Sequence, residues 1–371
     1  MIRVLIILGS AMDYGGTESF LMNYSREFSN VQFDFVVPGY EKGVYDDEIL
    51  SRGGKIYHVP YKNKHPIGFS KQIADIIRKN HYQIVHAQID AMNAWPLEIA
   101  RREDVPVRIS HSHNTDIQST NLVKRAINNF TKKHIAIVAT ELWACSHEAG
   151  VWLYGKKMES VFKVIHNAID LERYHFDSNN RIQIRNTFHV NEDIFLIGHV
   201  GRFAEQKNHV FLIKCFYELV QLMNNVALML VGDGQLKEAT VELTKTLGIS
   251  DKVLFVGNVN DVEKYYSAMD LFAFPSKFEG LSITFLEVQA NGLHSICSEG
   301  VTEEGCVANV ERLDVSLGAK YWAKRMASYY GVQRTNNDQV LRDNGFDLKF
   351  ESHNLESEYQ RLACGQAELS S

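Results

Sequence analysis

The 371-residue chain lacks most of the signals that mark specialised protein classes. It has no Cys-x-x-Cys pair. Its five cysteines, at 145, 215, 297, 306 and 364, are odd in number. That excludes a disulfide scaffold and points to a reducing compartment with ordinary thiols. No apolar run reaches the roughly 18 residues a bilayer-spanning helix needs. The first residues read as a strand, Ile2–Leu8, without a small-residue cleavage site, so no signal peptide is expected and the expected location is cytoplasmic. Only six prolines and no Gly/Ser run leave little room for a flexible linker. No Gly-rich segment ends in Lys-Ser/Thr and none has dinucleotide-fingerprint spacing, which weakens P-loop and hydride-transfer readings. Asp-x-Asp is absent, a pattern expected where a divalent ion bridges a diphosphate.

What is present is an ordinary globular composition, 45% hydrophobic and 23% charged. The length suits two domains. The net charge of −6 argues against general nucleic-acid binding. The acidic excess lies entirely after residue 170, and the part before it is slightly basic.

Short apolar runs alternate with amphipathic stretches. Strands are expected at Ile2–Leu8, Phe33–Val37, Lys55–Val59, Gln83–Ala87, Val105–Ser110, Leu142–Cys145 and Lys163–Ile165, with helices such as Glu18–Phe28 and Ser70–Asn80 between them. The pattern restarts with strands at Ile194–Val200, Val226–Val231, Lys252–Val256, Leu271–Phe274 and Leu293–Cys297. Helices near Val210–Met223, Leu236–Leu247, Val262–Ala268 and Ser282–Asn291 separate them. Continuous apolar strands alternating with helices predict parallel sheets covered on both faces. The expected fold class is therefore α/β, with two doubly wound, Rossmann-like units in tandem. Their expected extents are 1–169 and 170–343. The polar stretch Asp170–Asp193 reads as the junction. Ligands of such sheets bind beyond the carboxyl ends of the strands, so the residues just after each strand carry the functional argument.

The most specific segment is Pro275-Ser276-Lys277-Phe278-Glu279-Gly280-Leu281-Ser282 and onward to Glu287, after the strand Leu271–Phe274. A helix opening near Ser282 offers unpaired N–H groups and the positive end of its dipole, which suits a diphosphate. Glu279 precedes that helix and can reach sugar hydroxyls. Glu287, about one and a half turns in, can accept both hydroxyls of a ribose. An acidic helix start with one solvated glutamate would explain a Glu pair alone, but not the whole segment.

Gly201-Arg202-Phe203-Ala204-Glu205-Gln206-Lys207-Asn208 follows the first strand of the second unit. Gly201 permits a tight turn. Arg202 and Lys207 can converge on one diphosphate, a planar fork beside a point charge. Such a pair would neutralise charge building on a leaving group. In isolation two basic residues on a loop are equally an exposed basic loop. Gly15-Gly16-Thr17-Glu18 again places a turn before a helix start. His111-Ser112-His113-Asn114-Thr115-Asp116 puts two imidazoles after the strand Val105–Ser110, with no third metal ligand evident; one histidine at the ligand site and a purely structural pair are equally good readings. Thr120–Ile137 reads as an amphipathic helix with Leu122, Val123, Ala126, Ile127 and Phe130 on one face, flanked by Lys124, Arg125, Lys132 and Lys133. It suits an anionic membrane surface, and equally ordinary packing on the sheet.

Together these residues resemble glycosyltransferase family 4 enzymes of the GT-B fold, particularly bacterial exopolysaccharide and capsule transferases. The resemblance rests on Gly-Gly-Thr-Glu (15–18), His-Ser-His-Asn (111–114), Ala-Cys-Ser (144–146), Val-Ile-His-Asn-Ala-Ile-Asp (164–170), Gly-Arg-x4-Lys-Asn (201–208), Leu-Val-Gly-Asp-Gly (230–234) and Pro-Ser-x2-Glu-Gly-Leu with its second Glu (275–287). It implies transfer of a hexose or N-acetylhexosamine, with retention and without a divalent metal, from a nucleotide sugar, by family habit UDP-linked, to a lipid-linked or glycan acceptor. By the same resemblance Arg202 and Lys207 hold the diphosphate, Glu287 the ribose, and Glu279 the donor sugar. Amides of Gly280, Leu281, Ser282 and Gly16, beside Gly15, complete the phosphate cradle, and the base lies against Asn258 and Val259. His113 is favoured over His111 as the catalytic-site histidine, with His111 beside it among the donor-binding residues. The resemblance also implies a last helix, from about 344 to 371, that packs back on the first unit. No resident cofactor and no nucleic-acid partner are implied; peripheral membrane contact through 120–137 is an expectation. Ser282 and His294 stand where the family usually has proline, and Cys297–Asp314 is atypical. Nucleotide-sugar epimerisation would need a further acid/base pair on the sugar ring, which is not evident. A non-catalytic partner protein would be expected to have lost Glu279, Arg202 or Lys207, and all three are present.

Overall fold

The computed structural model describes residues 1–13, 15–115 and 122–365, with the side chains of 122–126 outside that description. The chain divides into two compact units, Met1–Ala168 with Leu348–Ser371, and Ile169–Asp347.

The first unit contains β1 (Ile2–Leu8), α1 (Gly16–Glu27), β2 (Val31–Pro38), α2 (Asp46–Ser51), β3 (Ile56–Val59), α3 (Pro66–Asn80), β4 (Ile84–Gln88), α4 (Ala94–Arg102), β5 (Val107–Ser112), α5 (Leu122–Val138), β6 (Glu141–Ala144), α6 (His147–Tyr154) and β7 (Lys163–Val164). The second contains α7 (Ser178–Thr187), β8 (Phe195–Val200), α8 (His209–Leu222), β9 (Val226–Val231), α9 (Lys237–Thr246), β10 (Val253–Gly257), α10 (Val262–Ala268), β11 (Leu271–Phe274), α11 (Ile283–Ala290), β12 (Ser295–Ser298), β13 (Val310–Leu313), α12 (Ala319–Ala327) and α13 (Asp338–Asp343). The last helix, α14 (Leu348–Cys364), belongs to the first unit.

Both sheets are wholly parallel. Their orders are β3-β2-β1-β4-β5-β6-β7 and β10-β9-β8-β11-β12-β13. Each order reverses direction once, between β1 and β4 and between β8 and β11, and doubly wound sheets bind ligands at such switch points. The strands flanking these points, β1, β4, β8 and β11, are buried almost throughout because helices cover both faces.

The polar stretch Asp170–Asp193 is more than a junction. It folds into the second unit and contains α7, whose start is capped by Asp177 accepting from the N–H groups of Asn179 and Asn180 at 2.7 and 3.2 Å. Arg185 on its inner face is 1% exposed. It donates to the carbonyls of Ala268, Asn191 and Ile194 and to Asp270 at 2.6 Å. Polar composition hid this helix because its buried residues are Ile184 and Arg185, one apolar side chain beside a cation. The atypical stretch after Cys297 carries the short edge strand β13. The C-terminal helix begins at Leu348, since Asn344 caps α13; residues 366–371 lie outside the described residues. Tyr359 of α14 packs edge-on against Phe28 and Phe33, and Glu356 accepts from the N–H of Ser29 at 2.8 Å.

Replacing Arg185 with Leu should leave the Asn191 and Ile194 carbonyls without this donor and Asp270 with Arg181 as its remaining cation, at 2.9 Å. The second unit should lose about 2–3 kcal/mol, read as a lower urea midpoint. A shift equivalent to under about 1 kcal/mol would mean the arginine is peripheral to the fold.

Candidate functional site

In the second unit the two segments beyond the switch-point strands are laced together. After β8, the turn at Gly201–Phe203 bonds along the segment after β9: Gly201 N–H donates to Val231 at 3.0 Å and Phe203 N–H to Asp233 at 2.9 Å. A Cβ on Gly232, whose φ is +133°, would meet the Gly201 carbonyl oxygen at 2.3 Å, so only glycine fits there. From the other side, Lys277 N–H donates to the Gln206 carbonyl at 2.7 Å, Gln206 Nε2 to Phe278 at 3.0 Å and Asn208 Nδ2 to Pro275 at 3.1 Å. Behind this seam Ser298 donates to the Ser276 carbonyl, and Glu279 N–H donates to Gly300 at 2.8 Å.

The seam places Lys207 Nζ 2.7 Å from Glu279 Oε1, with side-chain exposures of 14% and 8%. The Lys207 ammonium also lies 4.6 Å from the centre of the Phe274 ring. Gly201 leaves the lane in which the Lys207 stem runs, since a Cβ there would sit 3.2 Å from Lys207 Cδ and Cε. Arg202 on the same turn is exposed. The result is a cation fixed by a carboxylate, with a second cation nearby in sequence.

Glu279, Gly280 and buried Leu281 lead into α11, whose cap residue Ser282 makes no side-chain cap bond. Phe285 and Leu286 N–H both donate to the Ser282 carbonyl, at 3.1 and 3.2 Å, and the N–H groups before them open the helix, where an anion is favoured. Inside the helix, Glu287 is 8% exposed and accepts from Tyr266 Oη at 2.7 Å. Burial raises its pKa, opposed by the Tyr266 and Tyr174 hydroxyls and by the Arg173 charge. Arg173 itself pairs with Glu263 at 3.2 Å. At the end of β10, Asn258 is exposed and Val259 half-buried after Gly257, which has a φ of +88°. His294, in a usual proline position, bonds through Nε2 to the Gln333 carbonyl at 3.0 Å.

In the first unit, Gly15 precedes α1. A Cβ on it would strike Glu18 Oε2 at 2.2 Å, whereas one on Gly16 would meet open space. Glu18 folds back to accept from Ser10 Oγ at 2.8 Å. Beyond β5, His113 N–H donates to Asp90 Oδ1 at 2.7 Å and Asn114 Nδ2 to Asp90 Oδ2 at 2.5 Å. Asp90 adopts a φ of +48° and its pKa is raised by burial. Burial pushes the pKa of half-buried His113 down to about 3, so its ring is neutral near pH 7. Phe20 of α1 lies 5.3 Å from the His111 ring and 5.5 Å from that of His113, which ties the Gly15-Gly16 turn to the histidines.

The structure thus joins Lys207, Glu279, Gly280, Leu281 and Ser282 in one place, with Arg202 exposed on the adjoining turn, and sets Glu287 deeper in the same unit. His111 requires correction. Expected to line the donor site, it is fully buried and stacked 4.2 Å from His113, so it reaches a ligand only through that neighbour. Asp116, Thr120 and Asn121 lie outside the described residues. Residues missed by sequence reasoning include Tyr266, Tyr174 and Arg173 around Glu287, and Gln88, His86 and Asp90 around His113. None belongs to a local motif; only the strand-end position of Gln88 hinted at a role.

Two family models match the chain: Glycosyltransferase Family 4 over residues 14–173 and Glycosyl transferases group 1 over 180–309. A protein described as putative glycosyltransferase EpsF, from Bacillus subtilis, is 32% identical over 359 residues, 94% of this chain and 93% of that one. The capsular polysaccharide biosynthesis glycosyltransferase CapH of Staphylococcus aureus is 24% identical across 97% of this chain and 99% of its own. An Escherichia coli relative, UDP-Gal:alpha-D-GlcNAc-diphosphoundecaprenol alpha-1,3-galactosyltransferase, is 25% identical over 64% of this chain and 62% of its own. Among solved structures, Anabaena HepE in complex with UDP-glucose superposes with a TM-score of 0.72 at 16% identity, covering 100% of this chain and 99% of that one. That likeness establishes the two-unit GT-B fold.

Tyr266→Phe should remove the hydrogen bond that holds buried Glu287, costing about 1.5–3 kcal/mol in denaturant unfolding of the second unit. Unchanged stability would place the Glu287 carboxylate in a different setting.

Proposed function

The chain belongs to the glycosyltransferase family, and on that premise we propose that it moves a hexose or N-acetylhexosamine from a UDP-linked sugar to a lipid-linked or glycan acceptor in surface polysaccharide synthesis. The proposed reaction retains anomeric configuration and uses no divalent metal. The observation that carries this reading is the Lys207–Glu279 pair, held at 2.7 Å where the two switch-point loops are laced together.

Breaking the donor's glycosidic bond builds negative charge on the leaving diphosphate. Fixed positive charge placed there beforehand stabilises that developing charge without reorganising. Lys207 and Arg202 supply it, and the N-terminal turn of α11 adds backbone N–H donors near Gly280, Leu281 and Ser282. Glu279 occupies one of the three ammonium donors of Lys207, which orients the others, and its carboxylate is the group proposed to take a sugar hydroxyl. Glu287, oriented by Tyr266, accepts the ribose hydroxyls, and the base lies against Asn258 and Val259. In the first unit, Gly16 at the start of α1 and the neutral ring of His113 are the groups proposed to meet substrate. With two cations at the phosphates, the leaving oxygen itself takes the acceptor's proton on the same face, and no carboxylate nucleophile is required. The UDP preference draws on HepE, whose crystals hold UDP-glucose. The lipid-linked acceptor draws on the Escherichia coli relative's named substrate, and the polysaccharide role on the function in CapH's name.

Contact with a membrane surface is part of the same proposal. No described helix is long and apolar enough to cross a membrane. On α5, however, Ile127, Phe130 and Ile137 are 49%, 74% and 69% exposed and share one face by their three- and seven-residue spacing, while Ile135 and Val138 are buried.

Four measurements test this reading. UDP-sugars from a panel of nucleotide sugars should raise the melting temperature, and no shift with any of them would remove the donor site. Lys207→Ala should lower transfer at least about 100-fold while the fold is kept; activity within a few-fold of wild type contradicts the phosphate role. Chelator should leave the rate unchanged, and inhibition reversed by Mn²⁺ contradicts the metal-free mechanism. Ring-inverted sugar without transfer would indicate an epimerase, and transfer only with a second protein a non-catalytic partner. Phe130→Asp with Ile137→Asp should release the protein from phosphatidylglycerol vesicles; equal binding would place any membrane contact elsewhere.

A further inference from the structure

Three histidines, a glutamine and a tyrosine form a buried circuit behind the first-unit site. His86 and Gln88 are two apart on β4, and His111 and His113 two apart along β5 and its continuation, so each pair falls on one face of the sheet. The rings of His86 and His111 are 2° from parallel with centres 5.3 Å apart. His113 Nε2 bonds to Gln88 Oε1. Gln88 Nε2 lies 3.0 Å from His86 Nε2 and 3.5 Å from His86 Nδ1, over the ring rather than in its plane, and His86 Nε2 is also 3.2 Å from His111 Nδ1. On its far side His86 Nδ1 lies 2.8 Å from Tyr359 Oη of α14. His111 Nε2 is buried and has no hydrogen-bond partner.

Burial lowers the pKa of all three histidines, so each is neutral and carries one ring proton. The circuit can then run in only two directions. A proton on His111 Nε2 would be an orphaned buried N–H with a fixed direction, which folded proteins largely avoid, whereas an unused acceptor there is tolerated better. His111 therefore carries its proton on Nδ1 and donates to His86 Nε2. His86 Nε2 spends its one lone pair on that proton. The Gln88 group over the ring then meets only electron-rich nitrogen and π density, which an NH₂ faces favourably and a carbonyl oxygen does not, so the carbonyl is turned toward His113. His86 donates from Nδ1 to Tyr359, whose hydroxyl proton is free to rotate as a ring N–H is not.

We infer that Gln88, backed by His86, is a positioning residue that holds the proton of His113 on Nε2 and leaves Nδ1 as a lone-pair acceptor for a hydroxyl of a bound sugar. The inference rests on the proposed role of His113 at the sugar. It adds that His113 accepts a hydrogen bond from substrate rather than donating one, and that the choice is made by residues that never touch substrate.

Nitrogen-15 spectra of the full-length protein test the tautomer without substrate. His113 Nε2 should resonate as a protonated nitrogen and Nδ1 as an unprotonated one; a protonated Nδ1 overturns the proposal. Gln88→Leu should mix the two tautomers and lower kcat about 10- to 100-fold with donor KM within about twofold. Wild-type kcat together with an unchanged His113 spectrum in that variant also overturns it, and if the variant does not fold the wild-type spectrum still decides. Failure of the transferase reading is separately visible, as wild-type protein with the expected His113 spectrum and no donor binding or transfer.

Discussion

The ion pair between Lys207 and Glu279 is the contact around which the second unit's loops are arranged. Two partly buried charges at 2.7 Å are tolerated because each compensates the other, and removing either would leave an uncompensated charge at low solvent exposure. The pair requires the β8 and β11 loops to come together, and the backbone seam from Gln206 to Phe278 does this. The seam in turn requires glycine. Gly232 lies against the Gly201 carbonyl, and a Cβ on Gly300 would meet the Lys277 carbonyl at 2.3 Å. A chain of steric constraints therefore runs from small residues to one oriented ammonium.

The two units solve different problems with the same strand order. In the second, the switch point carries cations, a carboxylate and a helix start, chemistry suited to an anionic leaving group. In the first, the corresponding strand ends carry neutral rings. Burial keeps His86, His111 and His113 uncharged, and their hydrogen bonds rather than their charges define what His113 offers. Oriented charge on one unit and an oriented neutral acceptor on the other are both preorganised, through an ion pair and through a tautomer.

Local patterns in the sequence made much of this legible. Continuous apolar runs such as Val226–Val231 and Leu271–Phe274 became strands with the expected limits, because strands buried on both faces must be apolar throughout. Gly201, Lys207, Glu279 and Glu287 were legible because each lies a short, fixed distance from a strand end or helix start. Helix α7 was not, because only Ile184 and an arginine are buried along it, too little apolar periodicity to read. His111 was misread because alternation along β5 alone does not tell which of two histidines faces solvent.

The sequence by itself determined the α/β class, the two-unit plan and the set of residues beside the strand ends, since these depend on periodicity and on neighbours close along the chain. Tertiary structure alone decided the partners. Tyr266 reaches Glu287 from 21 positions away, Lys207 reaches Glu279 from 72, and Tyr359 reaches His86 from 273. Periodicity has no term for such separations. They are set by how parallel strands stack side by side, which is also why the orientation of Lys207, the setting of Glu287 and the tautomer of His113 emerge only once the sheets are assembled.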